Sequence, residues 1–447
     1  MVDKVERKPD VSVVVVVYNM GREAPRTLHS LSAAYQRYID PNDYEVIVVD
    51  NGSNPPLDPS IIDGLSGDFR LIRIDDASPS PAQAVNRGLD EARGEVIGVM
   101  IDGARIATPG LLHFARHGAR LYDRAVVATL GWYLGYDLQS WAMRAGYDQV
   151  REDALLASIG WPEDGYRLFE IATMDESSFD GWLAPIGETN ALFMRREHWD
   201  TLGGVDERFD YPGGGFLNLD TYRRAGDVPG AELVLLLGEG TFHQIHGGTA
   251  TNAPVETFPE MIARWSAQYE AIRGCTFAYP RLKNPPTYIG TLSRPALARF
   301  VRAAIHPVPP YVPREPPLGP NFDQELWSLA PAVPPADPII AALVELAQNE
   351  FRARRYESAA AVSRLIRARA PDEPEPQRML SLIGSWLSYF GPPSDRRAAY
   401  HCALGEAYRL LGDRDSSASE YQNALTFDPD YLQAHSGLGL LRLALDD

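Results

Sequence analysis

The stretch Val11–Val17 reads VSVVVVV, seven residues that are β-branched at all but one position and show no polar alternation. A strand of that kind has no face to give to water, so it belongs in the middle of a parallel sheet covered by helices on both sides. Gly94–Ala104, GEVIGVMIDGA, has the same character: a glycine-marked break, an apolar run, then one carboxylate, Asp102, followed by two small residues. Open α/β sheets hold their ligands at the carboxyl ends of the strands, where Asp102 falls. A carboxylate in that place also caps a following helix, so Asp102 alone does not choose between the two roles.

Between these strands lie a helical stretch, Arg26–Tyr38, and a strand, Glu45–Val49, that ends in Asp50, Asn51, Gly52 and Ser53. A short strand, Leu71–Ile74, and a helix from Pro81 to Arg93 complete the series. The order β-α-β-α-β-α-β with polar strand ends predicts a doubly wound α/β half, followed by a strand at Ala125–Leu130. From Gly131 to Trp182 the periodicity blurs among Trp132, Trp141, Trp161, Trp182, Tyr133, Tyr136, Tyr147 and Tyr166. Aromatic density of this kind either lines a pocket or fills an irregular core. Further on come a strand at Ala191–Met194, a helix at Arg195–Leu202, a glycine run at 213–215 and a helix at Leu217–Ala225. A strand at Leu233–Leu237 then leads into a loop rich in glycine, histidine and threonine, Gly238–Asn252.

Helices near Pro254–Arg273 and Ala296–Ala304 extend this part, and Pro307–Pro320 holds 7 prolines in 14 residues, which only extended chain accommodates. Such a segment is a linker more often than an SH3-type ligand, and it marks the domain boundary. Beyond Pro338 the pattern is helical. Ala403-Leu404-Gly405, Tyr408, Gly412, Ala418, Tyr421, Ala424-Leu425 and Pro429 follow tetratricopeptide spacing, and Leu438-Gly439 returns 34 residues after Leu404-Gly405. An earlier stretch, Leu346–Pro371, fits a degenerate copy and a plain α-hairpin equally. The expected division is therefore an α/β domain over 1–252, its helical extension over 253–306, a proline-rich linker over 307–337 and a tetratricopeptide-like (TPR-like) all-α domain over 338–447. Helical repeats of this type bind protein partners or self-associate.

A formal charge of −18 argues against nucleic acid or an anionic membrane as partner, since both require a basic patch. The two cysteines, Cys275 and Cys402, fall in different expected domains, which argues against a disulfide framework and for a reducing, cytoplasmic setting. No apolar run approaches the length of a transmembrane segment.

Three stretches, VSVVVVVYN, EVIVVDNGS and AVNRGLDEARGEVIGVMIDGA, resemble the nucleotide-binding half of family-two glycosyltransferases with the GT-A fold. ETNALFMRREHWDTLGGVDERFDYPGGG, followed by NLDTYRRAG, is similar to the acceptor half of that family. The resemblance spans about Val11–Asn252 and implies a Rossmann-like mixed sheet that binds a nucleotide-diphosphate sugar, UDP- or GDP-linked, for transfer to a saccharide or other hydroxyl acceptor. It places the nucleoside against Tyr18, Asn19, Asp50, Asn51, Gly52 and Ser53, and the ribose and diphosphate near Asn86 and Arg87. Asp102, followed by Gly103, takes the place of the first acid of the metal-binding Asp-x-Asp, and a divalent cation, Mn²⁺ or Mg²⁺, is implied as cofactor.

This chain departs from the family twice. Ala104 stands where the second acid belongs, and one carboxylate is a thin ligand set for a hard cation. His243 and His246 become the candidate additional ligands, because related enzymes use a histidine after the last core strand. The family's catalytic Glu-Asp pair falls on Leu217 and Asn218, and an amide cannot remove a proton. Asp220 is the leading candidate base for inverting transfer, with Glu188 next. The competing expectation is a catalytically silent nucleotide-sugar-binding protein acting as a TPR scaffold, consistent with the missing acids. A nucleotidyltransferase would need a glycine-rich phosphate loop after the first strand, and YNMGREAP is not one.

Overall fold

The structure is a computed structural model that describes residues 8–135, 139–144, 147–178, 182, 186–248, 258–278, 285–297, 335, 337–352, 355–371 and 397–443. The chain divides into two compact units, Met1–Met143 with Asp148–Ala298, and Arg144–Tyr147 with Arg299–Asp447. The expected linker over 307–337 lies almost wholly outside the described residues, as does most of the expected helix Ala296–Ala304.

The first unit is built on a ten-stranded mixed sheet. Its strands are β1 (Val11–Val17), β2 (Tyr44–Asp50), β3 (Asp68–Arg73), β4 (Val96–Met100), β5 (Arg105–Ala107), β6 (Ala125–Leu134), β7 (Ala172–Met174), β8 (Leu192–Arg195), β9 (Glu232–His243) and β10 (Thr287–Gly290). They run in the order β10-β9-β6-β8-β4-β1-β2-β3, with β5 on β9 and β7 on β6. β1 is buried over its whole length. Val11, Val13, Val15 and Val17 pack with Ala24 and Leu28 of the helix Ala24–Ser30 and with Leu111, Leu112 and Ala115 of the helix Leu111–Ala119. Val14 meets the helix Ala82–Glu91 at Gly88, where a Cβ would lie 2.2 Å from its Cγ1. Full burial of each valine contributes about 1.5–3 kcal/mol, so this strand anchors the sheet.

β4 is held as tightly on its other side. Gly98 pairs with Phe193 of the antiparallel β8, and a Cβ at Gly98 would lie 2.1 Å from the Phe193 ring. Gly98→Ala should therefore cost about 1–3 kcal/mol by overpacking, read as a lower denaturant midpoint with an unchanged m-value.

β9 is the element the sequence undersold: it runs on to His243, through residues expected to be loop. The reason is a large bulge. Between the pairs Ala128–Leu235 and Leu130–Gly240, β6 advances two residues while β9 advances five. Gly238, at φ +70°, makes that bulge, and a Cβ there would lie 2.2 Å from the Thr291 carbonyl oxygen. Below the bulge β9 pairs with β10, and beyond it with β5. A glycine-rich sequence reads as loop, yet here the glycines let a strand change neighbours.

The bulge also buries Glu239, which accepts hydrogen bonds from the Thr108 hydroxyl and, at 2.8 Å, from the Tyr166 hydroxyl. Burial raises this carboxyl to about 7, although the bonds from Thr108 and Tyr166 oppose the shift. The protonated form is thus favoured in the folded chain, and its contribution to stability is complete below about pH 4.5 and lost as pH rises through 7. Glu239→Gln, neutral at every pH, should remove that slope. The stability of wild type relative to the variant should fall by about 3 kcal/mol across this window, measured by denaturant titration at each pH.

The helix expected over Arg26–Tyr38 ends at Ser30. Ser30 and Ser32 turn their hydroxyls back onto the Thr27 and His29 carbonyls, at 2.6 and 2.7 Å, and Tyr38 adopts φ +65°. Local hydroxyl bonds of this type compete with helix continuation. Part of the aromatic stretch packs as core, whereas Trp161 and Tyr147 are half-buried. Trp132, Phe169, Trp182 and Phe242 are all buried, with Trp132 centroids 5.1 Å from Phe169 and 5.8 Å from Trp182. The side chains of Trp141 and Tyr136 lie outside the described residues.

The second unit is helical, with helices Pro338–Arg352, Tyr356–Arg369, Arg397–Leu410, Arg414–Phe427 and Leu432–Leu443 among its described residues. Tyr421 is fully buried at the centre of the last three. Gly405 and Gly437 make room for its ring, since a Cβ at either would lie 2.8 or 2.2 Å from it. Its hydroxyl donates to Glu406 Oε2 at 2.9 Å, and Arg409 holds the other oxygen. Both cysteines are free, and no helix among the described residues is long and apolar enough to cross a membrane.

Candidate active site

Strand directions decide which residues meet. β1 pairs parallel with β2 and with β4, so Tyr18 and Asn19, Asn51 to Ser53, and Asp102 with Gly103 share one edge of the sheet. β8 runs antiparallel to β4 and β6, which brings the residues before it, Glu188 to Asn190, to that same edge. β9 is parallel to β6 and delivers His243 there.

Asp102 is the hub. Its Oδ2 lies 2.8 Å from His243 Nε2 and its Oδ1 3.6 Å from His246 Nε2. The two Nε2 atoms are 3.1 Å apart. His243 Nδ1 lies 2.6 Å from the Gln139 side-chain oxygen Oε1, and its Nε2 faces Asp102 and His246. The three side chains offer ligand atoms that all lie within 4.8 Å of one another. Burial lowers His243 to about 4, so the ring is neutral near pH 7 despite its acidic neighbour. Burial raises the Asp102 carboxyl, but His243, His246 and Arg105 outweigh it and hold the group well below the usual carboxylate range. A neutral imidazole and an ionised carboxylate are the forms that bind metal. Two imidazoles with one carboxylate suit a first-row divalent ion such as Mn²⁺ better than Mg²⁺.

The local backbone explains why the second acid is missing without leaving a hole. Ala104 is fully buried among the apolar core residues, its N–H donates to Asp102 Oδ1 at 3.0 Å, and its carbonyl accepts from Gln244 N at 2.8 Å. A carboxylate there would be a buried charge in the core. Gly103 is needed by close approach, since a Cβ would lie 2.6 Å from the Val16 carbonyl oxygen. The loop bearing His246 is clamped as well. Glu152 accepts from Ile245 N at 2.8 Å and from Arg22 at 3.1 Å.

Around the first two strand ends the loops are stitched together. Asn19, at φ +54°, donates its N–H to Ser53 Oγ at 2.9 Å and accepts from Asn54 N at 2.8 Å. Asp50 accepts from Ser53 N, Leu57 N and the Arg73 guanidinium at 2.8, 3.1 and 2.7 Å. Burial raises Asp50, and those bonds more than offset it and keep the carboxyl below its usual range. Asn51 spans to the Ser78 and Ser80 carbonyls, and Gly52 sits at φ +77°. Within this rigid frame Tyr18 is 56% exposed, an aromatic face open at the edge. Two of the expected donor residues have partners of their own. Asn86 is bound to Val205 and Glu207, and Arg87 lies on the exposed helix face paired with Glu91 at 2.7 Å.

The two candidate bases differ sharply. Asp220 is fully buried and held in a fork by Arg273, Nε to Oδ1 at 2.7 Å and Nη2 to Oδ2 at 2.6 Å. Glu188 is partly exposed and accepts from Asn218 Nδ2 at 3.1 Å. Burial and the nearby Asp175 carboxylate raise Glu188 above the ordinary range, while Arg105 and Asn218 pull the other way. Asn218 thus orients the Glu188 carboxylate. Gln139, Glu152 and Arg105 were not legible as site residues. Arg105 sits on β5, a strand of three residues with no periodicity to read.

No curated protein matches this chain. Among solved structures it is similar to the mannosyltransferase PcManGT from Pyrobaculum calidifontis in complex with GDP-Man and Mn²⁺, at 16% identity, 92% coverage of this chain, 87% of that one and a TM-score of 0.33. It is also similar to S. aureus TarS 1-349 in complex with UDP, at 11% identity, 97% and 92% coverage and a TM-score of 0.31. These are slight likenesses and assign no residue. The α/β mixed sheet is the Rossmann-like architecture of the GT-A fold, and residues 12–102, from β1 to the strand-end carboxylate, match the family model described as glycosyl transferase family 2.

Proposed function

We propose that the first unit transfers a sugar from a nucleoside-diphosphate donor, UDP- or GDP-linked, to an acceptor hydroxyl with inversion. The observation that supports this most is that strand direction brings the Asp102–His243–His246 cluster and the partly exposed Glu188 to one sheet edge. The stitched loops at Asn19, Asp50 and Ser53 present Tyr18 to stack on the base. Asp102, His243 and His246 would hold a divalent cation, which when bound supplies charge stabilisation for the diphosphate. Glu188 takes the proton of the acceptor hydroxyl as its oxygen bonds to the anomeric carbon. The bond from that carbon to the phosphate oxygen breaks, and the electron pair leaves with the nucleoside diphosphate.

Asp220 is a weaker choice of base than Glu188, because both its oxygens are engaged by Arg273. It reads better as the brace between the helices Leu217–Asp227 and Phe258–Arg273. The helical unit fits a TPR-like module for a protein partner or self-association. The silent-scaffold alternative predicts binding without chemistry. The deciding experiment incubates the full chain with a panel of UDP- and GDP-sugars and Mn²⁺, with and without saccharide acceptors, and follows release of nucleoside diphosphate. One donor should be consumed and EDTA should stop it. Binding of donors with no turnover in any combination would overturn the enzymatic reading.

A further inference from the structure

Arg105 is a site side chain with no part in the preceding mechanism. It lies on β5 directly across from His243 and is 4% exposed. Its Nε stands 3.6 Å from Asp102 Oδ2, an ion-pair separation too long for a hydrogen bond. Among the described residues its Nε and Nη1 have no hydrogen-bond partner, although both are buried. The guanidinium charge is felt by Asp102, His243 and Glu188. Arg273, less deeply buried, instead engages its donors with Asp220. Leaving two guanidinium nitrogens buried and unpaired is costly, and an oxyanion would satisfy them.

We propose that Arg105 is a phosphate-binding residue of the donor site, its Nε and Nη1 donating to diphosphate oxygens of the bound nucleotide. This rests on the reading of the site as a nucleotide-sugar site. It also gives a physical sense to the single carboxylate at Asp102. Ala104 is buried in the core and brings no carboxylate to the guanidinium. Part of the charge that a second acid and its metal would hold is then supplied by the protein. The donor diphosphate should accordingly bind with some strength even when no metal is present.

The test is equilibrium calorimetry on the full chain with UDP, GDP, UMP and GMP, in EDTA and again in Mn²⁺. Wild type should bind one of the two diphosphates in EDTA. Arg105→Gln should weaken that diphosphate at least about tenfold in EDTA, the scale of a charged hydrogen bond, and weaken the monophosphate of the same base by less than about twofold. Arg105→Lys should recover part of the loss, because it returns the charge without the fork. Retained monophosphate binding also certifies that each variant is folded, and a melting curve on Arg105→Lys covers the case in which the glutamine variant is not. Equal loss for mono- and diphosphate, or no loss for either, would assign Arg105 a structural role and overturn the proposal while leaving the donor site intact. If wild type binds neither UDP nor GDP with or without Mn²⁺, the nucleotide-sugar reading falls and this proposal with it.

Discussion

Glu188→Gln should lower kcat about a thousandfold and leave the affinity for donor essentially unchanged. General-base assistance contributes about 10²- to 10⁴-fold, and the glutamine amide oxygen still accepts from Asn218 in the place of Oε2. The loss should be entirely in the chemical step, so kcat and kcat/KM should fall together. The pH profile carries a second signature. Burial and Asp175 raise Glu188, so the base form is complete only above the ordinary carboxylate range. Activity of the wild type should therefore rise with pH through a limb displaced upward from that range, and the limb should vanish in Glu188→Gln. Asp220→Asn should behave differently. It deprives the Arg273 guanidinium of its forked partner, so the chain should melt earlier while the folded fraction keeps its kcat within a few-fold. Should Asp220→Asn be the variant that abolishes kcat in a folded protein, the base assignment made here is reversed.

Asp102→Asn has the next largest expected effect. The asparagine carbonyl can still accept the Ala104 N–H, now at 3.0 Å from Oδ1, so the turn after β4 should survive. What goes is the negative charge between His243 and His246. Mn²⁺ affinity should fall at least about a hundredfold, beyond the 10- to 100-fold range typical of losing an outer-shell partner, and turnover in Mn²⁺ should fall with it. The variant should bind a nucleoside monophosphate as the wild type does, because Asn19, Asp50 and Ser53 are untouched.

How much of this was legible in the chain follows from what each element depends on. β1 and β4 were readable because seven and five buried residues in a row leave no other home than a sheet interior. Asp102 was readable for the same reason, as the first charge after such a run. β5 was not, since three residues show no period and their pairing with β9 depends on a bulge more than a hundred residues away. Arg105 was missed with it. Gly238 explains the misread loop: glycine marks a turn in local logic, and only the sheet shows that this one lets β9 exchange β10 for β5. His243 and His246 were named through a family resemblance, and the i, i+3 spacing alone does not show that the first ends a strand while the second sits in a clamped loop. The engagement of Asp220 was beyond sequence because it depends on Arg273, a partner 53 residues further along.

The central claim is that Asp102, His243 and His246 join a cation to the diphosphate of the donor, and thermodynamic coupling tests it most directly. Calorimetric titration of UDP or GDP, with and without saturating Mn²⁺, gives the factor by which the cation changes nucleotide affinity, and linkage requires the same factor in the reverse titration. Wild type should show tightening of about tenfold or more, with the factor falling to about one in Asp102→Asn. An undiminished factor in Asp102→Asn, or no coupling in the wild type, would contradict the placement of the site at the end of β4.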